Sequence, residues 1–334
     1  MLFEPAHDGK KRVLMLGFSV LTHHCYVSIR QLDNPEFEFD CYGLGGHHFN
    51  HLVPLLPKII ANKSPDYVIL DLASTPCRDW VDERTFRLHV TFMLAFLVDR
   101  KIKPAFVNFY RSDVDYENDV VTHAIREMAK ELGVPLLDFT ETVAAMPADQ
   151  RLAVMPDGIH FSQSGAEWAS TRVNCFAGEV LAKSDMAMRP VLQNAGDFLR
   201  NLEAVDPEKL CDCAADTEIF RGYGVEMRAL RFAENSSIDI SAPDECVIVG
   251  AYFVAGPMAG LIRAEGPQQT VEIQNADVFS YYERMRFTPL PYAKRVRLTQ
   301  LPGLPDVALA KETFSDGQRL GKLGLVVIHH SGRR

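Results

Sequence analysis

The hydrophobic rhythm of this chain changes near its middle, and that change limits its fold more than any other feature. Up to about residue 185, short apolar runs alternate with longer amphipathic stretches, whereas from about residue 218 the period shifts toward two. In the first half, Arg12 to Gly17, Glu38 to Tyr42, Tyr67 to Leu72, Pro104 to Phe109 and Val134 to Phe139 read as strands. Val53 to Asn62, Glu83 to Arg100 and Asp119 to Leu132 have helical spacing, and Ser64-Pro65-Asp66 and Gly133 interrupt it. Ser164 and Glu167 have the spacing of a capping box, which predicts a last helix from Ser164 to about Lys183. Strand and helix in alternation predict an α/β fold, a three-layer, doubly wound parallel sheet with right-handed crossovers.

The second half reads differently. Val225 to Phe232, Ser237 to Ile240, Cys246 to Val254, Gly260 to Ala264, Thr270 to Gln274, Arg295 to Thr299 and Leu323 to His329 are predicted strands, separated by turns rich in Pro, Gly and Asn. Many short strands of this kind predict a smaller β-rich, sandwich-like domain. The expected division is 1–185 for the α/β domain, 186–217 for a partly helical connector with a helix near Val191 to Val205, and 218–334 for the β-rich domain. Tyr223, Tyr252, Phe253, Phe279, Tyr281, Tyr282 and Tyr292 could stack on sugar rings, and a carbohydrate-binding role is one reading of this half.

Composition narrows the function classes. With 334 residues, 47% of them hydrophobic, the chain can bury a sizeable core, and a net charge of -9 without a basic stripe argues against nucleic acid as a partner. No apolar run approaches the ~20 residues of a membrane span. The first residues make a poor secretory signal, and the seven cysteines are irregularly spaced and read as reduced thiols, so a cytoplasmic protein is expected. Cys211-Asp212-Cys213 lacks the second pair of a zinc site, and neither a cofactor nor a metal is expected.

In an open parallel sheet, ligands bind beyond the carboxyl ends of the strands. Gly17-Phe18-Ser19 follows the first strand there, and Asp157-Gly158-Ile159-His160 precedes the last helix. A hydroxyl is a weak nucleophile unless an imidazole takes its proton, and that imidazole needs a carboxylate to fix its tautomer. Ser19, His160 and Asp157 supply those three groups in an order and context that fit a serine centre.

These blocks resemble those of the SGNH or GDSL-type hydrolases. Gly17-Phe18-Ser19 stands where that family has Gly-Asp-Ser, and Pro156 to Gly165 is similar to its final Asp-x-x-His block. The resemblance covers residues 11 to 183 and implies an SGNH hydrolase-like, flavodoxin-like domain. It further implies an oxyanion hole from the backbone N–H groups of Ser19 and Gly46. Thr75 stands where the family has an Asn donor, and Phe18 replaces the family's Asp. His47, which adjoins Gly46, is a rival donor, and His47 and Phe18 are taken as candidate substrate contacts.

The reading that follows is a serine esterase or O-acyltransferase acting on acyl groups, acetyl above all, of a carbohydrate. The substrate partner would be a small-molecule or carbohydrate ester, with an acyl donor in the transferase case. A non-catalytic carbohydrate-binding or assembly protein that kept the fold is the alternative. A third reading, a metal-assisted hydrolase, rests on His23, His24, His47, His48 and His51, with Asp71 as a carboxylate partner. Sequence leaves the oligomeric state open.

Overall fold

The computed structural model describes residues 9–22, 24–76, 78, 81–181, 199–211, 216–222 and 225–331. The chain divides into two compact units, Met1–Arg200 and Asn201–Arg334.

In the first unit, the strands β1 (Lys11–Gly17), β2 (Phe37–Gly43), β3 (Tyr67–Asp71), β4 (Lys103–Asn108) and β5 (Leu136–Asp138) form one parallel sheet in the order β2-β1-β3-β4-β5. Between and after them run α1 (His24–Arg30), α2 (Phe49–Leu52), α3 (Leu56–Lys63), α4 (Glu83–Asp99), α5 (Val120–Leu132), α6 (Thr140–Ala144), α7 (Ala148–Val154) and α8 (Gln163–Phe176). The predicted α/β sheet is therefore present, with strand ends displaced by one or two residues.

Local chemistry sets the helix ends. The Asp82 and Asp119 carboxylates accept the N–H groups of Thr85 and Thr122 to start α4 and α5, and Gly133, at φ 68°, closes α5 in the left-handed conformation that glycine tolerates. The last helix is capped by Ser162, whose Oγ accepts from Gly165 N, and not by Ser164, the residue that the capping-box spacing points to. A Cβ on Gly165 would lie 2.1 Å from the Val154 carbonyl oxygen, so the first turn of α8 seats directly on the end of α7.

Burial follows strand alternation. Val13, Met15, Ile69 and Val107 pack with Cys25 and Ile29 of α1 and with Ala166, Ala169 and Val173 of α8. Their neighbours Leu14, Leu16, Val68, Leu70 and Phe106 are equally buried, as a sheet covered on both faces requires. Strand order reverses around β1 and β3, the place where such sheets open a crevice at their carboxyl ends.

The second unit is antiparallel. β6 (Leu202–Val205), β7 (Asp216–Gly222), β8 (Val225–Ala233), β10 (Cys246–Ala255), β13 (Arg284–Ala293) and β15 (Leu320–His330) make one sheet; β9 (Ser237–Ser241), β11 (Leu261–Glu265), β12 (Thr270–Gln274) and β14 (Arg295–Gln300) make another. Phe232, Ile248, Phe253 and Val326 of the first sheet share a core with Ile240, Ile262 and Leu298 of the second, which is sandwich packing.

The structure differs from the sequence reading at several places, among them β7 (Asp216–Gly222), a strand where none is expected. Leu202–Val205, read as the end of a helix, is a strand paired with Val326 to His329 of β15, because tertiary pairing overrides a weak local preference. β13 carries Pro289 and Pro291, which masked it in the sequence; it is an edge strand, where proline costs no ladder hydrogen bond. The rest of the expected helix, at 191–198, lies outside the described residues. No described helix is long and apolar enough to cross a membrane. Cys211 is disulfide-bonded, against the all-reduced expectation, while Cys25, Cys41, Cys175 and Cys246 form no disulfide. Tyr252 and Phe253 are wholly buried in the second unit, so they are core and not platform; Tyr292 is exposed, and Tyr223 lies outside the described residues.

Candidate active site

Ser19 opens a single 3-10 turn, Ser19–Leu21, directly after β1. Phe18 before it is extended, and the Thr22 side chain and backbone N–H both donate to the Ser19 carbonyl, at 2.7 and 3.0 Å. The first N–H groups of such a turn have no partner within it. Two glycines make room for the turn. A Cβ on Gly17 would stand 2.6 Å from the Asp71 Cβ, and one on Gly43 would stand 2.8 Å from the Phe18 carbonyl oxygen. Side chains at either position would drive Ser19 from its place.

The loop before α8 presents the other two groups. Asp157 Oδ1 accepts from the N–H groups of Ile159 and His160, at 2.9 and 2.7 Å, which folds the four residues into one tight turn. Its Oδ2 lies 2.7 Å from His160 Nδ1, and His160 Nε2 lies 2.9 Å from Ser19 Oγ. Gly158, at φ +76°, turns the chain between them, and its carbonyl accepts from Ser112 N at 2.8 Å. The loop after β4 thus buttresses the turn, a contact without a sequence signal.

Partial burial would raise the Asp157 pKa, but the hydrogen bonds from His160 and Ile159 outweigh it and hold the carboxyl at about 2. Asp157 is therefore an anion wherever an enzyme works, ready to balance an imidazolium at His160. Ser19 is half-buried and the His160 side chain is 30% exposed, so the bonded pair is sheltered yet reachable.

Beside the triad opens a cleft of about 520 Å³ lined by His24, Val27, Pro156, Asp157, His160, Phe161 and Ser162. His24 and Val27 are three apart on α1 and so share a face, and Val27 is 52% exposed, unusual for an aliphatic side chain. Val27 has no distinguishing mark in the sequence beyond that spacing from His24.

The remaining expected site residues fall into two groups. Gly46 sits half-buried at φ +67° in the loop after β2, a loop that begins with Leu44 N donating to the Gly17 carbonyl. That bond brings the Gly46 loop to the same sheet edge as Ser19. Thr75, His47 and Phe18, by contrast, are each wholly buried. The Thr75 hydroxyl accepts from Phe49 N at 3.1 Å and lies 3.5 Å from the Pro76 carbonyl oxygen, so it anchors the Phe49 turn instead of facing a substrate. His47 Nδ1 bonds the Gly45 carbonyl oxygen at 2.7 Å, bracing the Gly46 turn from within, and Phe18 is a core side chain. The substrate contacts expected of His47 and Phe18, and the donor role of Thr75, are corrected accordingly.

The histidine cluster is also structural in its geometry. His51 lies 5.6 Å ring to ring from His47 and 5.3 Å from His48, and α2 begins only at Phe49, so the helical spacing invoked for His47 and His51 is not met. His23 lies outside the described residues. Among the described residues no three His, Cys, Asp or Glu side chains converge as metal ligands. Asp71 turns to Ser74, not to the histidines: it accepts from the Ser74 hydroxyl and, at 3.1 Å, from Ser74 N. Complete burial raises its pKa to about 6 against the opposing effect of those bonds and of Arg78 and Arg111.

No family model and no curated protein matches this sequence. Among solved structures, a two-domain esterase active on acetylated mannans matches with a TM-score of 0.64 at 14% identity, over 97% of this chain and 92% of its own. The fold is shared with a two-domain esterase. The same esterase co-crystallised with mannopentaose matches equally, at TM-score 0.64 over 98% of this chain. A lipase/acylhydrolase from Enterococcus faecalis matches with a TM-score of 0.42 at 15% identity, over 54% of this chain and all of its own. At 14% identity the likeness to the two-domain esterase establishes the fold, a parallel α/β unit followed by antiparallel sheets, and leaves the chemistry to the residues.

Proposed function

We propose that this protein is a serine esterase that removes acyl groups, acetyl above all, from a carbohydrate. The observation that carries the reading is the continuous chain from Asp157 through His160 to Ser19 Oγ, at 2.7 and 2.9 Å. In this reading Ser19 Oγ attacks the ester carbonyl while His160 Nε2 takes its proton, and Asp157 holds the ring and balances its charge. The oxyanion is held by the N–H groups of Ser19 and Gly46. His160 then returns the proton to the departing sugar oxygen, and water, activated by the same imidazole, releases the acid. A sugar hydroxyl in place of that water would give transfer.

The leaving sugar must lie on the side from which His160 delivers its proton. The cleft of about 520 Å³ borders that ring, and pockets of this size accommodate small ligands. Val27 and Pro156 offer an apolar wall for the C–H face of a sugar, and His24 a hydrogen-bonding group for its hydroxyls. The matched esterase's activity on acetylated mannans makes acetylated mannan the first substrate to offer. Acetate release from acetylated mannan, compared with acetylated xylan and an aryl acetate, tests the reading. Release by the wild-type chain, absent in Ser19→Ala, is expected. Release that survives in Ser19→Ala would dismiss it, and binding to mannan without any release would favour the non-catalytic alternative.

A further inference from the structure

A second relay of three side chains lies in the antiparallel unit. Cys246 opens β10, His330 ends β15 and Glu203 lies on β6. Cys246 is paired with His330 across β10 and β15, and Glu203 is paired with Ile328 across β6 and β15, so three adjoining strands bring the side chains together. Cys246 Sγ lies 3.2 Å from His330 Nδ1, and His330 Nε2 lies 2.8 Å from Glu203 Oε2. With a carboxylate accepting at Nε2, that nitrogen carries the proton, and Nδ1 is the atom that can take a proton from sulfur. The same carboxylate can balance the imidazolium that forms when His330 takes that proton, an arrangement of the kind that activates a thiol nucleophile.

We propose that Cys246 is a second nucleophile of this chain, activated by His330 and Glu203, and a site of covalent modification by small hydroperoxides. Size follows from access: Cys246 is only 4% exposed, which admits hydrogen peroxide more readily than a bulky disulfide. The thiolate attacks one peroxide oxygen, the S–O bond forms and the O–O bond breaks. The leaving hydroxide takes the proton from the His330 imidazolium and departs as water. Sulfur is oxidised by two electrons to the sulfenic acid, and the peroxide is reduced.

Glu203 faces His330 from β6; Glu245 precedes Cys246, and its carbonyl accepts from Ser331 N; Asp244 is paired with Lys294 across the neighbouring turns. His329 is the next residue along β15, on the opposite face, and burial followed by the nearby His330 depresses its pKa. The other buried thiols have no such activation. Burial, helped by Asp71, pushes the Cys25 thiol up, and burial, helped by Cys25 and Asp40, does the same to Cys41.

The test treats the full chain with hydrogen peroxide at pH 6 and at pH 9, traps sulfenic acid with dimedone and maps the labelled peptides. Cys175, an exposed thiol, is the internal reference. Restricted access lowers Cys246 labelling by a factor independent of pH, so the Cys246 to Cys175 ratio reads thiolate character alone. That ratio should be at least about tenfold higher at pH 6 than at pH 9, since an ordinary thiol ionises near 8.5. Glu203→Gln, a change at a half-exposed side chain that leaves the strand intact, should lower the pH 6 ratio severalfold, and His330→Asn should remove the pH dependence. A ratio that does not change with pH, an absence of label on Cys246, or indifference to Glu203→Gln would each overturn the proposal. Because the readout is label on Cys246, an outcome at Ser19 does not bear on it.

Discussion

At the scale of single residues, the proposed triad and the side chains that brace it make different predictions. Ser19→Ala and His160→Ala should each lower ester turnover by at least about 10³-fold with unchanged melting, because nucleophile and base work as one unit. Asp157→Ala should retain more. Thr75→Val should behave in the opposite way. It deletes the acceptor for the buried Phe49 N–H, so a loss of about 1–3 kcal/mol in denaturant unfolding is expected, with kcat per folded molecule nearly unchanged. A tenfold fall in kcat at full stability would restore Thr75 to the oxyanion hole. Asp71 carries a pH signature. Its folded-state pKa of about 6 lies above the unfolded carboxylate value, so the folded protein holds this proton more tightly. Its destabilising effect is therefore absent below about pH 4, grows as pH rises through 6, and is complete above that. Asp71→Asn, which mimics the protonated form, should raise the melting temperature at pH 8 and leave it unchanged at pH 4. An equal shift at both pH values would contradict this. The bonded arrangement of Asp157, His160 and Ser19 was legible because Asp157 and His160 are local, three apart in one turn, and Ser19 follows a plain buried strand. Thr75 was placed by register, which tells which loop a residue joins and not which way its side chain faces; His47 and Phe18 were chosen for their neighbours Gly46 and Ser19, and adjacent side chains can face opposite ways.

Among elements, the β1-turn and the β2 end form the cradle of the site. Gly43→Ala places a methyl 2.8 Å from the Phe18 carbonyl oxygen and 2.5 Å from Thr22 Cγ2, so the turn that carries Ser19 must move. Turnover should fall at least about tenfold, since small misplacements of a nucleophile have large effects on rate. Gly178→Ala, where nothing lies within 4 Å, is the matched control and should be neutral. Equal rates for the two variants would refute the cradle. The cleft element, α1, makes its own prediction: Val27→Asp should raise KM for acetylated mannan severalfold and leave kcat for an aryl acetate alone. Sheet type and most strands were readable from periodicity alone. β6, β7 and β13 were not: β6 gains its strand character only from β15, β7 only from its pairing with β8, and β13 hides its period behind Pro289 and Pro291. The helix cap at Ser162 was missed because two serines, Ser162 and Ser164, both precede the helical run, and only geometry distinguishes them.

At the scale of the whole molecule, the triad and the groups bonded to it come from the first unit, and the Cys246 relay from the second. The shift in hydrophobic period announced two units, but the junction at residues 200 and 201 was not legible, since strand β6 looks helical in isolation. A chain ending at Arg200 should fold and keep a reactive Ser19, because Gly17, Gly43, Ser112, Asp157 and His160 all precede that point. The most direct measurement is intact mass and peptide mapping of the full chain after treatment with a fluorophosphonate. A serine whose proton is taken by an imidazole phosphonylates; a serine that merely caps a turn does not. One adduct, located on Ser19, lost in Ser19→Ala and slowed at least about a hundredfold in His160→Ala, is the predicted result. An unmodified chain, or an adduct on any other residue, would contradict the assignment of Ser19, His160 and Asp157 as a catalytic triad.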